Sequence, residues 1–126
     1  MPAIPSRTAG VFVVTLGLAL AGCASSGTSS RPAGATANRI VRAELESVGQ
    51  VDAFEAVNRL RPRWMSSRGG SRPVLYVDGT RRNDISDLQS LRAFDIEEIE
   101  YMSGSDASTR FGTGHGGGAI MVSTRR

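Results

Sequence analysis

The chain has 126 residues, which suits one small domain with a tail and leaves no room for a second hydrophobic core. All 15 basic side chains are arginine, against 12 acidic ones, so the charge is nearly balanced, and the arginines alternate with turns and acids. A nucleic-acid-binding surface would instead gather basic residues on one face with aromatic residues between them. The composition therefore argues against nucleic acid as a partner.

The first 22 residues have the pattern of an export signal. Arg7 supplies a positive start, and residues 11–20 supply an apolar run that is too short to span a bilayer. Small residues then lead to Cys23, the only cysteine of the chain. An ordinary signal peptide cut near Ala21, with Cys23 incidental, is the alternative interpretation.

The run Leu-Ala-Gly-Cys at 20–23 resembles a bacterial lipobox. This resemblance implies cleavage between Gly22 and Cys23 and attachment of acyl chains such as palmitate to Cys23, so that the membrane itself becomes a partner. Several chains anchor a protein far more firmly than one. The lipoprotein sorting pattern places Asp after the cysteine in proteins kept at the inner membrane. Ala24 stands there in this chain, which implies the periplasmic face of the outer membrane.

Residues 24–38 contain no aromatic or large aliphatic side chain. Such a segment cannot bury enough apolar surface to offset the entropy lost on ordering. We therefore predict a signal peptide over 1–22, an acylated cysteine with a flexible, disordered linker over 23–38, and a folded domain over 39–126.

The first periodic segment of the domain covers residues 52–60. Its apolar residues fall at helical spacings, Asp52 is a suitable N-cap, and Pro62 ends the pattern. These features predict a helix, and the glycine- and serine-rich residues 66–72 predict a loop after it.

Strand signals alternate with helical ones in the rest of the domain. Residues 73–77 are rich in β-formers and precede Asp78-Gly79, a hairpin turn signal. Residues 83–92 have a helical spacing, and a helical turn near 95 passes into a strand over 99–102.

The last part of the chain holds one more helix and one more strand. The polar residues 103–106 are expected to cap a short helix or turn through Phe111, and residues 119–124 to form an apolar strand. Together these elements predict a small α+β domain with short helices and a mixed sheet of three or four strands.

The residues give little support for catalysis or for a cofactor. Residues 112–117 match the dinucleotide fingerprint, but that motif needs a strand before it and a helix after it. His115 is the only histidine, and acylation of Cys23 would leave no free thiol, so neither a zinc site nor a Cys-His pair can be built. The neighbouring Glu97 and Glu98 face different directions, so they do not form a pair of carboxylates for acid–base catalysis. We therefore predict no catalytic residue, no metal and no cofactor.

Five sequence pieces of residues 44–126 follow one another in the order found in the plug domain of TonB-dependent outer-membrane receptors, which this segment resembles. A helix that ends in Leu-Arg is followed by a strand that ends in Asp-Gly and by an Ile-Glu-rich segment. A Gly-x-x-Ala element then leads to an aromatic-Gly pair, and a glycine loop runs into a final strand. These pieces lie at 53–61, 74–79, 96–101, 104–112 and 118–125.

In the receptor family a barrel follows the plug, whereas this chain stops after it, so we expect a module that is not itself a transporter. The resemblance implies protein interaction at the outer membrane with an envelope partner of unknown identity, through a sheet edge or through the loops 66–72 and 111–118. The candidate interaction residues are Trp64, Arg110, Phe111, Gly112, Gly114, His115 and Gly117. The alternative is a small-ligand module that uses Trp64, Tyr76, Tyr101 and nearby arginines.

Overall fold

A computed structural model of the protein describes residues 30–66 and 70–126. The predicted signal peptide, the cleavage site and the acylation of Cys23 lie outside the described residues. The same holds for 24–29 of the predicted linker and for 67–69 of the predicted loop.

Within the described residues, one mixed sheet of five strands has the order β1-β4-β5-β2-β3. Its strands are β1 (Arg39–Val41), β2 (Val74–Val77), β3 (Thr80–Arg81), β4 (Ile96–Met102) and β5 (Ala119–Thr124). The neighbours β2 and β5 are parallel, and the other pairs are antiparallel. The α-helices are α1 (Arg42–Ser47), α2 (Ala53–Leu60) and α3 (Gly104–Phe111), and short 3-10 helices cover Pro62–Trp64, Ile85–Ser90 and Ala93–Asp95. The predicted α+β class is confirmed, with one strand more than the upper number expected.

Two helices begin at the side-chain caps that the sequence predicts. The carboxylate of Asp52 accepts a hydrogen bond from the Glu55 N–H at 2.8 Å, which satisfies one of the free donors at the start of α2. The hydroxyl of Ser103 accepts from the Asp106 N–H at 3.3 Å at the start of α3. Both caps are followed by helices of eight residues, so these two predictions are confirmed.

The shortest elements differ from the sequence prediction. The strands β1 and β3 have three and two residues, too few for an alternating pattern to be recognised. The helix predicted over 83–92 is the 3-10 helix Ile85–Ser90, in which only Leu88 is buried. Leu91 already has extended backbone and packs beside the core, so a longer α-helix was wrong here.

The hydrophobic core lies on one face of the sheet, between the strands and the helices α1 and α2. Because side chains alternate along a strand, Leu75 and Val77 face this core while Tyr76 points to the opposite face. The helix α3 lies on that opposite face, where Phe111 stacks on Tyr76. The sheet residues of the core are Ile40, Leu75, Val77, Ile96, Ile99, Ile120 and Val122.

A buried ion pair joins α1 to the end of α2. The Nη2 atom of Arg61 lies 3.0 Å from both carboxylate oxygens of Glu44, and both residues are buried. The guanidinium also donates to the carbonyl oxygen of Thr36 at 2.8 Å. Residues just before β1 are thereby fastened to the domain, as the hydrogen bond from the Tyr101 N–H to the Asn38 carbonyl also shows.

We expect Glu44→Leu to lower the free energy of unfolding by about 3 kcal/mol, because it leaves the buried guanidinium of Arg61 without its carboxylate. The matched control is Glu46→Leu in the same helix. Glu46 pairs with Arg42 in solvent, and its loss is expected to cost under about 0.5 kcal/mol. Urea unfolding of the two variants measures the difference. Equal losses would contradict a structural role for the buried pair.

The hairpin turn between β2 and β3 is held by hydrogen bonds to the neighbouring strand β5. Asp78 and Gly79 have positive φ angles of 49° and 81°, as the Asp-Gly signal predicts. The Asp78 carboxylate accepts hydrogen bonds from the hydroxyl of Thr124 at 2.6 Å and from its N–H at 2.9 Å. These bonds to Thr124 hold the pKa of Asp78 below its ordinary value.

Because this pKa is lowered on folding, the bonds of Asp78 stabilise the domain above the pKa of the unfolded chain, near 4. Their contribution is lost as the pH falls through the lower folded pKa. We expect Asp78→Asn, which keeps a residue tolerant of positive φ, to cost about 1 kcal/mol at pH 7. The difference from the original chain should shrink as the pH falls below about 4. A difference that stays constant down to pH 2, measured by chemical unfolding, would refute this assignment.

Candidate interaction site

Three aromatic rings meet where α3 ends above the open face of the sheet. Tyr76 comes from β2, Phe111 is the last residue of α3, and His115 comes from the glycine loop, residues 112–118. The ring centroids of Tyr76 and Phe111 are 4.5 Å apart, and His115 lies 6.0 and 5.6 Å from them. The contacts between these rings hold the end of α3 and the glycine loop on β2.

The hydrogen bonds of His115 make it a brace inside the loop. A carbonyl oxygen only accepts, so Nδ1 carries a proton and donates to the Gly112 carbonyl at 2.9 Å. The Nε2 atom then accepts from the Tyr76 hydroxyl at 2.9 Å. Because the side chain is only 2% exposed, it positions the loop and offers no surface to a partner.

The glycines of the loop serve close backbone packing. A Cβ atom on Gly117 would lie 2.5 Å from backbone atoms of Ser71 and Arg72, and one on Gly118 would lie 2.5 Å from the Met102 carbonyl oxygen. Gly118 also has a φ of +90°. Helix α3 precedes the loop and β5 follows it, the reverse of the order that the dinucleotide fingerprint needs.

A groove opens on the sheet face beside this cluster. Tyr76, Phe111 and Met121 form its apolar wall, and its volume is about 290 Å³. The guanidinium carbon of Arg110 lies 5.3 Å from the centre of the Phe111 ring, within the range of a cation–π contact. Glu98 also lines the groove, so the site combines apolar surface with charges of both signs.

Trp64 lies in a different place. Its ring is 4% exposed and stacks on Tyr101 with centroids 5.7 Å apart, and its Nε1 donates to the Ala37 carbonyl at 3.2 Å. Both rings line a second groove of about 550 Å³. The Tyr101 hydroxyl donates to the Gly117 carbonyl at 3.3 Å, which links this groove to the glycine loop.

The predicted interaction residues therefore divide by exposure and by place. Arg110, Gly112 and Gly114 are exposed and Phe111 is half-buried, and all four belong to the end of α3 and the loop after it. The other three, Trp64, His115 and Gly117, are buried. The aromatic set of the small-ligand alternative is also split, since Tyr76 lines one groove and Tyr101 the other.

Sequence reasoning missed two contributors to these sites. Met121 lines the first groove because it alternates with the buried Ile120 and Val122 along β5. Its neighbours in the sequence are also apolar, so the sequence alone did not show which face Met121 occupies. Arg61 lines the second groove although it follows a helix end, where an arginine is usually solvated. The Leu-Arg pair at the end of α2 was the sequence feature that could have pointed to a special role for Arg61.

The described residues contain no cluster of three or more His, Cys, Asp or Glu side chains placed to bind a metal. In the same part of the chain, every helix is too short or too polar to cross a bilayer.

The family model described as TonB-dependent Receptor Plug Domain matches residues 34–119. No curated protein and no solved structure matched the chain.

We expect Gly117→Ala to destabilise the domain by about 2 kcal/mol, because its new Cβ meets backbone that cannot move aside. The neighbouring Gly116→Ala is the matched control. A Cβ there would have only ordinary contacts, 3.5 Å or more, with the Ser71 side chain, and we expect a change under about 0.5 kcal/mol. Thermal unfolding would contradict the packing account if the two variants had the same midpoint.

Proposed function

Because the chain belongs to the TonB-dependent receptor plug domain family, we propose that it is a plug-fold module of the bacterial envelope that acts by binding another protein. The plug domain is a non-catalytic family, and plug domains sit in the bacterial envelope. In this proposal the module contacts its partner through the end of α3, the glycine loop and the open sheet face beside them.

The proposal rests on the sheet face opposite the core, beside the end of α3. Phe111 and Met121 present apolar surface there, and the exposed guanidinium of Arg110 lies over the Phe111 ring. Aromatic residues, methionine and arginine are the types enriched in protein interfaces. The loop beside them is braced by His115, so the site is preorganised and little entropy would be lost on binding.

The sheet edges are less suited to receive a partner strand. At one edge the N–H and carbonyl groups of Arg39 are already bonded to Thr36. At the other edge β3 has two exposed residues, one of which is Arg81. Short and charged edge strands oppose strand addition. The loop and the groove are therefore the favoured contact surface.

The lipobox pattern supports a lipid anchor at Cys23 on the periplasmic face of the outer membrane as part of the same proposal. Residues 23–36 span at most about 45 Å when fully extended. Hydrogen bonds onto the domain begin by residue 36. An anchor at Cys23 would therefore keep the domain within about 45 Å of the lipid headgroups.

The test places a photo-crosslinking amino acid at Phe111 or Arg110 of the full chain in its own host cells. We expect a discrete adduct with an envelope protein at these positions. The matched control is Gln89, an exposed residue of a 3-10 helix away from the groove, where we expect none. The Cys23→Ala variant should leave the membrane fraction and lose most of the adduct. Absence of an adduct at both test positions would refute protein binding through this face, and unchanged fractionation would refute the anchor.

A further inference from the structure

The second groove lies beside Arg31, and none of the three rings of the aromatic cluster lines it. Its floor is formed by Leu60, Pro62, Trp64 and Tyr101. The polar atoms of the two rings are already bonded to the carbonyls of Ala37 and Gly117. The floor therefore presents mainly apolar surface, and any polar recognition has to come from the rim.

The rim is positively charged. Arg31, Arg61 and Arg63 line the groove, and none of its lining residues is acidic. Arg61 is neutralised by Glu44 behind it. Arg31 and Arg63 are exposed, and among the described residues neither takes part in an ion pair. Two guanidinium groups without an ion-pair partner among the described residues thus line the same groove as these apolar side chains.

We propose that this groove binds an acidic segment of a partner protein, with carboxylates on Arg31 and Arg63 and an apolar side chain between them on the floor. Guanidinium groups bind carboxylates through two parallel hydrogen bonds, which suits this pairing. A volume of about 550 Å³ is large enough for a few residues of extended chain. This inference rests on the proposed function, because it names the chemistry of the partner.

A protein segment fits the groove better than a lipid surface does. Trp64 is 4% exposed and lies at the bottom of a concave site, so it cannot insert into a bilayer as interfacial tryptophans do. A flat membrane would meet only the rim. An extended peptide can enter the groove and contact the floor and both guanidinium groups together.

Trp64 is the only tryptophan of the chain, so its fluorescence reports directly on this groove. The experiment titrates the full chain in detergent with a short blocked peptide in which Asp and Leu alternate. The control peptide carries Asn for each Asp. We expect the acidic peptide to shift the Trp64 emission and to protect it from acrylamide, with binding that weakens steeply as salt rises. We expect the control peptide to bind at least about tenfold more weakly.

Charge reversal locates the binding site. Arg31→Glu with Arg63→Glu should weaken the acidic peptide at least about tenfold. Arg81→Glu with Arg82→Glu makes the same charge change at the edge strand and the residue after it, and should change the affinity less than about twofold. All four residues are exposed, and circular dichroism checks that both variants keep the fold.

Three outcomes would overturn the inference: no response of Trp64 to the acidic peptide, equal binding of the control peptide, or protection by anionic phospholipid vesicles in place of the peptide. Crosslinking of a partner at Phe111 does not depend on this groove. If that adduct forms while the peptide fails, the proposed function stands and only its acidic partner chemistry falls.

Discussion

The central strand β5 can enter the sheet only because the glycines before it have no Cβ atom. The backbone of this segment can therefore pack directly against the backbone of neighbouring segments. Gly117 passes against Ser71 and Arg72, and Gly118 turns at a positive φ beside the Met102 carbonyl. The Gly118 carbonyl then accepts from the Val74 N–H, which starts the parallel pairing with β2. The register of β5 against both neighbours follows from this passage, and so does the position of every side chain that it sends to either face.

The glycine loop also connects the two candidate surfaces. His115 and Tyr76 brace the loop from one face of the sheet, while the Tyr101 hydroxyl reaches the Gly117 carbonyl and the Tyr101 ring stacks on Trp64. A partner that contacts the exposed end of α3 therefore meets a surface whose backbone is already fixed. At the second groove, the buried ion pair of Arg61 and Glu44 has a comparable structural role. It fixes the end of α2 beside the residues that precede β1.

The sequence allowed prediction of those elements whose signals are local, and the rest depends on contacts between distant residues. Side-chain caps at Asp52 and Ser103 and the Asp-Gly turn act within four residues, so both helices and the hairpin could be predicted. The strands β1 and β3 carry no such signal, because they exist only through pairing with β4 and β2. For the same reason the burial of His115 could not be predicted, because it depends on a contact with Tyr76, which lies 39 residues away in the chain.

The central claim is that this plug-fold domain presents a preformed surface, at the end of α3 and the glycine loop, to a protein of the envelope. Hydrogen exchange of the chain in isolated native envelopes, compared with the purified chain in detergent, tests it most directly. The account predicts slower exchange in envelopes for the backbone amides of residues 110–114, with β5 unchanged because its hydrogen bonds are internal in both states. Equal exchange at residues 110–114 in the two samples would contradict it.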